Sequence, residues 1–199
     1  MTTPLKIGIT GNIGSGKSIV SSIFRTMGIP VYDSDTEAKR LMQNDKIIHD
    51  RIIKTFGNES YTHEKELNKR YIANIIFNDP TALQKINNIV HPRVKEDFAT
   101  WSKSRNRPIV AIESAILFES GLNTTVDITI AIHADRETCI ERACRRNNTT
   151  RKEIEQRLAK QTPSDKIISQ SEYTIYNNHN TPLLPQIKKL ITEIQNKIL

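Results

Sequence analysis

The eight residues Gly11-Asn12-Ile13-Gly14-Ser15-Gly16-Lys17-Ser18 constrain the fold of this chain more than any other feature. They satisfy the pattern G-x-x-x-x-G-K-[S/T] at every defined position, and the flanking segments give the pattern a mechanism. Leu5–Thr10 is short, β-rich and bounded by glycine, which predicts a strand. From Ser18 to Met27, residues Ile19, Val20, Ile23, Phe24 and Met27 share one side of a predicted helix. Between a strand and a helix, the glycines let the backbone wrap so that successive N–H groups face phosphate oxygens. The helix adds its positive N-terminal end. Lys17 can reach β- and γ-phosphates, and the Ser18 hydroxyl can ligate Mg²⁺. An ordinary glycine-rich turn is the alternative, and the agreement of motif and both flanks speaks against it.

The rest of the chain alternates in the way such a loop requires. Val31-Tyr32-Asp33 opens a second strand after the break at Gly28-Ile29-Pro30. From Thr36 to about Arg107 the pattern is helical almost throughout, with turns near Phe56-Gly57 and Asn78–Pro80. Strand signals return at Pro108–Ile112, Val126–Ile132 and Glu172–Tyr176. Helices are predicted over Ala134–Asn147, Thr150–Gln161 and Pro182–Leu199. Strands alternating with helices imply a parallel sheet covered on both faces. The chain therefore divides into an α/β core, 1–35 and 108–199, and a helical insertion, 36–107.

Composition narrows the partners. No apolar run approaches the roughly 18 residues of a membrane span, and Met1–Lys6 lacks the apolar segment of a signal peptide. Cys139 and Cys144 form neither a CxxC pair nor a Cys/His set with metal spacing, so a zinc site or disulfide framework is not expected. The default compartment is a reducing cytoplasm, and a monomer is the favoured state. The 29 Lys and Arg against 22 Asp and Glu, a net +7, point to an anionic partner. From Arg136 to Lys160 eight basic residues face four acidic ones, a local excess of four. Aromatics are only 6% of the chain and do not interleave with this stretch, which disfavours a base-stacking nucleic-acid surface. A phosphate-bearing small molecule fits better.

Three further constellations carry chemistry. Asp33-Ser34-Asp35 lies at the carboxyl end of the second strand, where ligands of α/β folds bind. If that segment is extended, both carboxylates face one way, one organising Mg²⁺ and its waters and the other accepting a proton. Equally, Asp33 can end the strand while Asp35 caps the next helix. Arg142, Arg145 and Arg146 fall at i, i+3 and i+4 on one helix, with Arg157 on the next. Such a helix-loop-helix can close over a nucleotide and neutralise charge on a transferred phosphoryl group, or it is a solvated basic face. His91-Pro92 interrupts a helical pattern, which predicts a break with Pro92 starting a new helix and His91 extended beside it. His91 is there either a helix cap or part of a site.

Taken in order, these segments resemble the dephospho-coenzyme A kinase family over nearly the whole chain. Gly8–Ser18 is similar to that family's GLTGGIGSGKS signature, and Asp33-Ser34-Asp35 to its D-A-D. Phe77–Pro80 through Ile89–Pro92 resembles F-x-D-P…L-x-x-I-x-H-P, and Ile116–Gly121 resembles L-L-F-E-x-G, with Asp127 at the following V-D. Glu141-Arg142, Arg146-Asn147 and Arg157–Gln161 match the lid, and Ile175–Asn177 matches I-D-N. The resemblance implies a P-loop kinase core, a coenzyme A-binding helical insertion and a mobile lid within about 142–165. It implies ATP-dependent phosphorylation of the 3′-hydroxyl of dephospho-coenzyme A, the last step of coenzyme A synthesis, with no nucleic-acid or membrane partner. Carried over, Asp35 is the general base. Lys17, Arg142 and Arg146 act on the phosphoryl group, and the loop Gly11–Ser18 with Arg142 and Asn177 holds the nucleotide. Thr10, Asp35, His91, Lys95 and Leu117 meet the acceptor, and Ser18 and Asp33 hold Mg²⁺.

The chain departs from the family pattern at a few places. Asn12 replaces a loop glycine, which requires that its backbone avoid a glycine-only conformation. Ser114-Ala115-Ile116 replaces the usual proline, Lys95 stands where arginine is common and loses its fork geometry, and Asn68-Lys69 replaces Asp-Arg. Shikimate kinase, which also joins a P-loop to D-x-D, is the nearest rival. It needs a glycine-rich acceptor motif in the middle third, and none of the seven glycines clusters there.

Overall fold

The computed structural model describes residues 3–79 and 81–196. Pro80, in the turn expected near Asn78, and the last three residues of the expected closing helix lie outside them. Two compact units are present, one formed by 1–32 and 105–199 and the other by 33–104.

The first unit is built on a five-stranded sheet. Strands β1 (Leu5–Thr10), β2 (Val31–Asp33), β3 (Ile109–Glu113), β4 (Ile128–His133) and β5 (Tyr173–Tyr176) stand in the order β2-β3-β1-β4-β5. β1 runs parallel to both β3 and β4, and β4 runs parallel to β5. The central position of β1 follows from its sequence. Ile7 and Ile9 on one face and Gly8 and Thr10 on the other are all buried, as a strand covered on both faces requires. Ile7 lies opposite Ala111 and Ile128, and Ile9 opposite Glu113 and Ile130. The chain passes to β2 and β3 on one side of β1 and to β4 and β5 on the other, so the carboxyl end of β1 is a switch point where ligands of such sheets bind.

Helix α1 (Lys17–Thr26) begins directly at the glycine-rich loop and turns Val20 and Phe24 inward. With the closing helix, which spans Leu183–Asn196, it covers one face of the sheet. Ile187, Ile191 and Ile194 join Ile7, Ile9, Ile130 and Ile132 in a single apolar cluster.

The second unit consists of α2 (Ser34–Asn44), α3 (Lys46–Phe56), α4 (Lys69–Asn78) and α5 (Ala82–Ser104). Asp33, Asp45 and Asn68 cap α2, α3 and α4 through side-chain oxygens. Between α3 and α4, Tyr61 and Leu67 form an isolated antiparallel bridge, with Lys65 in the left-handed region at φ 62°. The nearly all-helical reading of this stretch missed that small hairpin. The break expected at His91-Pro92 is also absent: α5 runs unbroken through Pro92. Its apolar side, including Ile86, Val90, Val94 and Phe98, is buried, and that packing outweighs the backbone bond a mid-helix proline removes.

Downstream, the first unit continues with α6 (Arg136–Asn147), α7 (Arg151–Ala159), α8 (Ser164–Gln170) and α9, the closing helix already described. The seven-residue α8 was not foreseen. Its polar sequence, with Ile167 as its buried contact, gives almost no periodic signal.

Candidate active site

The loop between β1 and α1 is shaped by close contacts that only glycine allows. A Cβ on Gly14 would lie 2.0 Å from the Cys139 carbonyl oxygen, and one on Gly16 would lie 2.0 Å from Asn177 Nδ2. Both residues have positive φ, at 80° and 98°. Asn12 is not in the left-handed region, so the departure from the family glycine is accommodated. Lys17 Nζ donates to the carbonyl oxygens of Gly11 at 2.8 Å and Asn12 at 3.1 Å, which holds the ammonium against the start of the loop. Gly16 caps α1 without a side chain and the first turn holds no acidic residue, leaving the helix's positive end for an anion. Ser18 is exposed on that same turn.

A second layer of side chains fixes the loop from outside. Asn177, just beyond β5, is 5% exposed; its Nδ2 donates to Ser15 O at 2.8 Å and its backbone N–H to His133 O at 2.7 Å. Arg142 Nη1 donates to Asn177 O at 2.8 Å. Arg142, the loop and Asn177 are therefore brought together. Arg146 lies exposed one turn further along α6, bonded to the Asn147 side chain at 3.3 Å. Arg145 and Arg157 are exposed too. Arg151 is instead committed to Glu137 and Glu155, which hold its guanidinium firmly protonated. Thr150 and Glu153 form a capping box that starts α7. Thr10 and Leu117 are buried, at 1% and 0% exposure, and the Leu117 carbonyl oxygen accepts from the Asn123 N–H at 3.1 Å.

Sequence reasoning missed three members of this layer. Gln161 Oε1 accepts from the Ile13 N–H, Thr162 O accepts from Asn12 Nδ2, and Asn178 Oδ1 accepts from the Asp135 N–H, each at 2.9 Å. Gln161 closes the recognised Arg157–Gln161 segment, and Thr162 and Asn178 each directly follow a recognised one, but neither a side-chain amide nor a loop carbonyl gives a periodic signal.

The second unit carries the remaining candidates. Asp33 Oδ1 accepts from the N–H groups of Asp35 and Thr36, both at 3.1 Å. Asp33 is thus the cap, not Asp35, and the extended geometry expected for this triplet is replaced by a strand end and a helix start. Asp35 is exposed on the first turn of α2. His91 and Lys95 sit at i and i+4 on α5, and the His91 imidazole is pushed below its ordinary pKa, first by burial and then by Lys95. An unforeseen pair stands beside them in sequence: Arg93 donates from Nε and Nη2 to Asp45 Oδ2, at 3.1 and 2.7 Å. Among the described residues, no group of three His, Cys, Asp or Glu side chains could hold a metal by itself. The Ser18 hydroxyl, exposed on the first turn of α1, is a hard oxygen donor of the kind that suits Mg²⁺.

The family model for dephospho-CoA kinase matches residues 5–182 of this chain. The chain belongs to the dephospho-CoA kinase family. A Bacteroides fragilis dephospho-CoA kinase is 40% identical over 195 residues, covering 98% of this chain and 95% of its own. The Porphyromonas gingivalis one is 36% identical, covering 97% and 96%. Among solved structures, a Thermus thermophilus protein superposes with a TM-score of 0.81 at 28% identity, each chain covered in full. As a dephospho-CoA kinase, the protein is an ATP-using transferase of coenzyme A synthesis, which decides against the shikimate kinase reading.

Proposed function

We propose that this chain moves the γ-phosphoryl group of ATP to the 3′-hydroxyl of dephospho-coenzyme A with the residues assigned as follows. The loop amides, Lys17 and the α1 N-terminus bind the donor phosphates, and Asn177 and Arg142 border the nucleotide. The bond from the γ-phosphorus to the bridging oxygen breaks and ADP leaves. The acceptor oxygen bonds to phosphorus, and its proton passes to the Asp35 carboxylate. Arg142 and Arg146 offset charge on the transferring group, and such arginine contacts are worth orders of magnitude in rate in related chemistry. Ser18 and Asp33 are the residues that would hold Mg²⁺, which supplies charge neutralisation on the phosphates when bound. Thr10, Asp35, His91, Lys95 and Leu117 orient the acceptor, with the helical unit 33–104 as the coenzyme A-binding part and α6–α7 as the lid. The protein works as a monomer in the cytoplasm, with ATP and dephospho-coenzyme A as its partners and no nucleic acid or membrane.

The observation that carries the reading is the phosphate cradle, whose glycines have no substitute, in a chain of this family. A coupled ADP-release assay with ATP and Mg²⁺ tests it. Turnover with dephospho-coenzyme A and none with shikimate or nucleoside monophosphates is expected, and the reverse preference overturns it. Lys17→Ala should abolish turnover with an unchanged circular dichroism spectrum.

A further inference from the structure

We propose that Gln161 and Asn12 are positioning residues that fasten the root of the lid to the phosphate loop, so that loop shape and lid placement are set together. This deepens the functional reading above and rests on it for the role of α7 as a lid.

The segment that follows α7 crosses back onto the loop. Gln161 Oε1 accepts from the Ile13 N–H at 2.9 Å, and Thr162 O accepts from Asn12 Nδ2 at 2.9 Å. The Thr162 hydroxyl donates to the Glu119 carboxylate, tying the same segment to the turn after β3. Asn12 is 9% exposed, so its amide is committed rather than solvated. The Ile13 side chain completes the link. It packs into the cluster of Ile140, Ala143 and Ile154 from α6 and α7, together with Leu158.

One loop residue is therefore held from two sides by the lid: its amide by Gln161 and its side chain by the apolar cluster. Any displacement of α7 pulls on Ile13, and Ile13 is three positions from Gly16 and four from Lys17. The consequence runs both ways, because coupling between two sites is reciprocal. Phosphates that settle the loop restrain α7, and a correctly seated α7 holds the loop ready for phosphates. A glycine at position 12 has no side-chain donor and could not make the Thr162 contact.

The test measures coupling with trypsin, which cuts after Lys152, Arg157 and Lys160. In the native chain, saturating ADP should slow cleavage in this segment. Gln161→Met keeps the length and loses the acceptor, and Asn12→Gly loses the donor without disturbing the core. Each should reduce the protection ratio, cleavage without ADP over cleavage with it, at least fivefold, and lower kcat by a similar factor. Gln161→Glu still accepts from Ile13 and should keep the native cleavage rate in the absence of ADP. A lower melting temperature with an unchanged protection ratio in both Gln161→Met and Asn12→Gly would show a merely structural bond and overturn the proposal. The cleavage assay uses ADP without an acceptor. A native chain that is protected by ADP yet fails to phosphorylate dephospho-coenzyme A would overturn the assigned reaction and leave the fastening standing.

Discussion

Two carboxylates two residues apart sit here in different hydrogen-bonding surroundings. Asp33 spends one oxygen on the N–H groups of Asp35 and Thr36, while Asp35 lies exposed on the first turn it helps to begin. Asparagine is as good an N-cap as aspartate, so Asp33→Asn removes charge while keeping the cap. It should leave stability unchanged and shift the Mg²⁺ dependence of kcat to higher concentrations, with activity partly recovered by added metal. With Asp35 as the base proposed above, Asp35→Asn keeps size and polarity but cannot take the acceptor proton, and loss of a general base costs about 10²–10⁴ in rate. Its kcat should fall by that order at every Mg²⁺ concentration while both substrates still bind. Profiles of kcat against Mg²⁺ for the two variants check both assignments. A metal-rescued Asp35→Asn beside an unrescued Asp33→Asn means the roles are exchanged. The motif alone could not separate them, because which aspartate caps α2 depends on where β2 ends, and a three-residue strand leaves that undetermined by one pleat.

At the scale of elements, α5 shows where local rules stop. The sequence rule that proline ends a helix is sound for an isolated segment, yet Pro92 sits inside 23 residues of helix. The buried row from Ile86 to Phe98 anchors both halves, and no local signal reports that strength. Arg93, the next residue, joins α5 to the start of α3 through Asp45. The Asp45 side chain is 11% exposed. Burial by itself pushes its carboxyl up, but the Arg93 guanidinium and the α3 amides more than reverse this and hold it below the ordinary carboxylate range. A depressed folded pKa gives stability that is fully present above the unfolded value, near 3.9. That stability is lost as pH falls through the folded value. Arg93→Gln should therefore cost about 1–3 kcal/mol at neutral pH. Urea denaturation of both proteins should show this difference closing below about pH 4. A difference of equal size at pH 7 and pH 3 would mean that Arg93 acts through packing. The α8 helix and the Tyr61–Leu67 bridge were illegible for the opposite reason: too short and too polar to carry a period.

For the whole molecule, the phosphate loop organised the sequence reading because it demands a strand before it, a helix after it and a parallel sheet around it. The five strands were all legible, since buried runs such as Ile109–Ile112 have no solvent side to blur them. What stayed hidden was the set of side-chain amides that bind the loop to distant segments, at separations near 150 residues. Such contacts exist only once the sheet has assembled. The loop's worth to the assembled molecule can be measured directly. A ligand that binds only the folded chain adds RT ln(1 + [L]/Kd), about 2.7 kcal/mol at a hundredfold excess over Kd. For a chain of this length each kcal/mol raises the melting temperature by about 2–4 °C, so ADP should raise it by about 5–11 °C. Gly14→Ala is the control that ties the shift to the loop. Its new methyl group would lie 2.0 Å from the Cys139 carbonyl oxygen, a distance no side chain adopts, so the loop or the start of α6 must move apart. Differential scanning calorimetry of the variant should show a folded protein whose transition ADP no longer displaces. If the variant keeps the full shift, the nucleotide is held elsewhere, and the cradle is not the donor site.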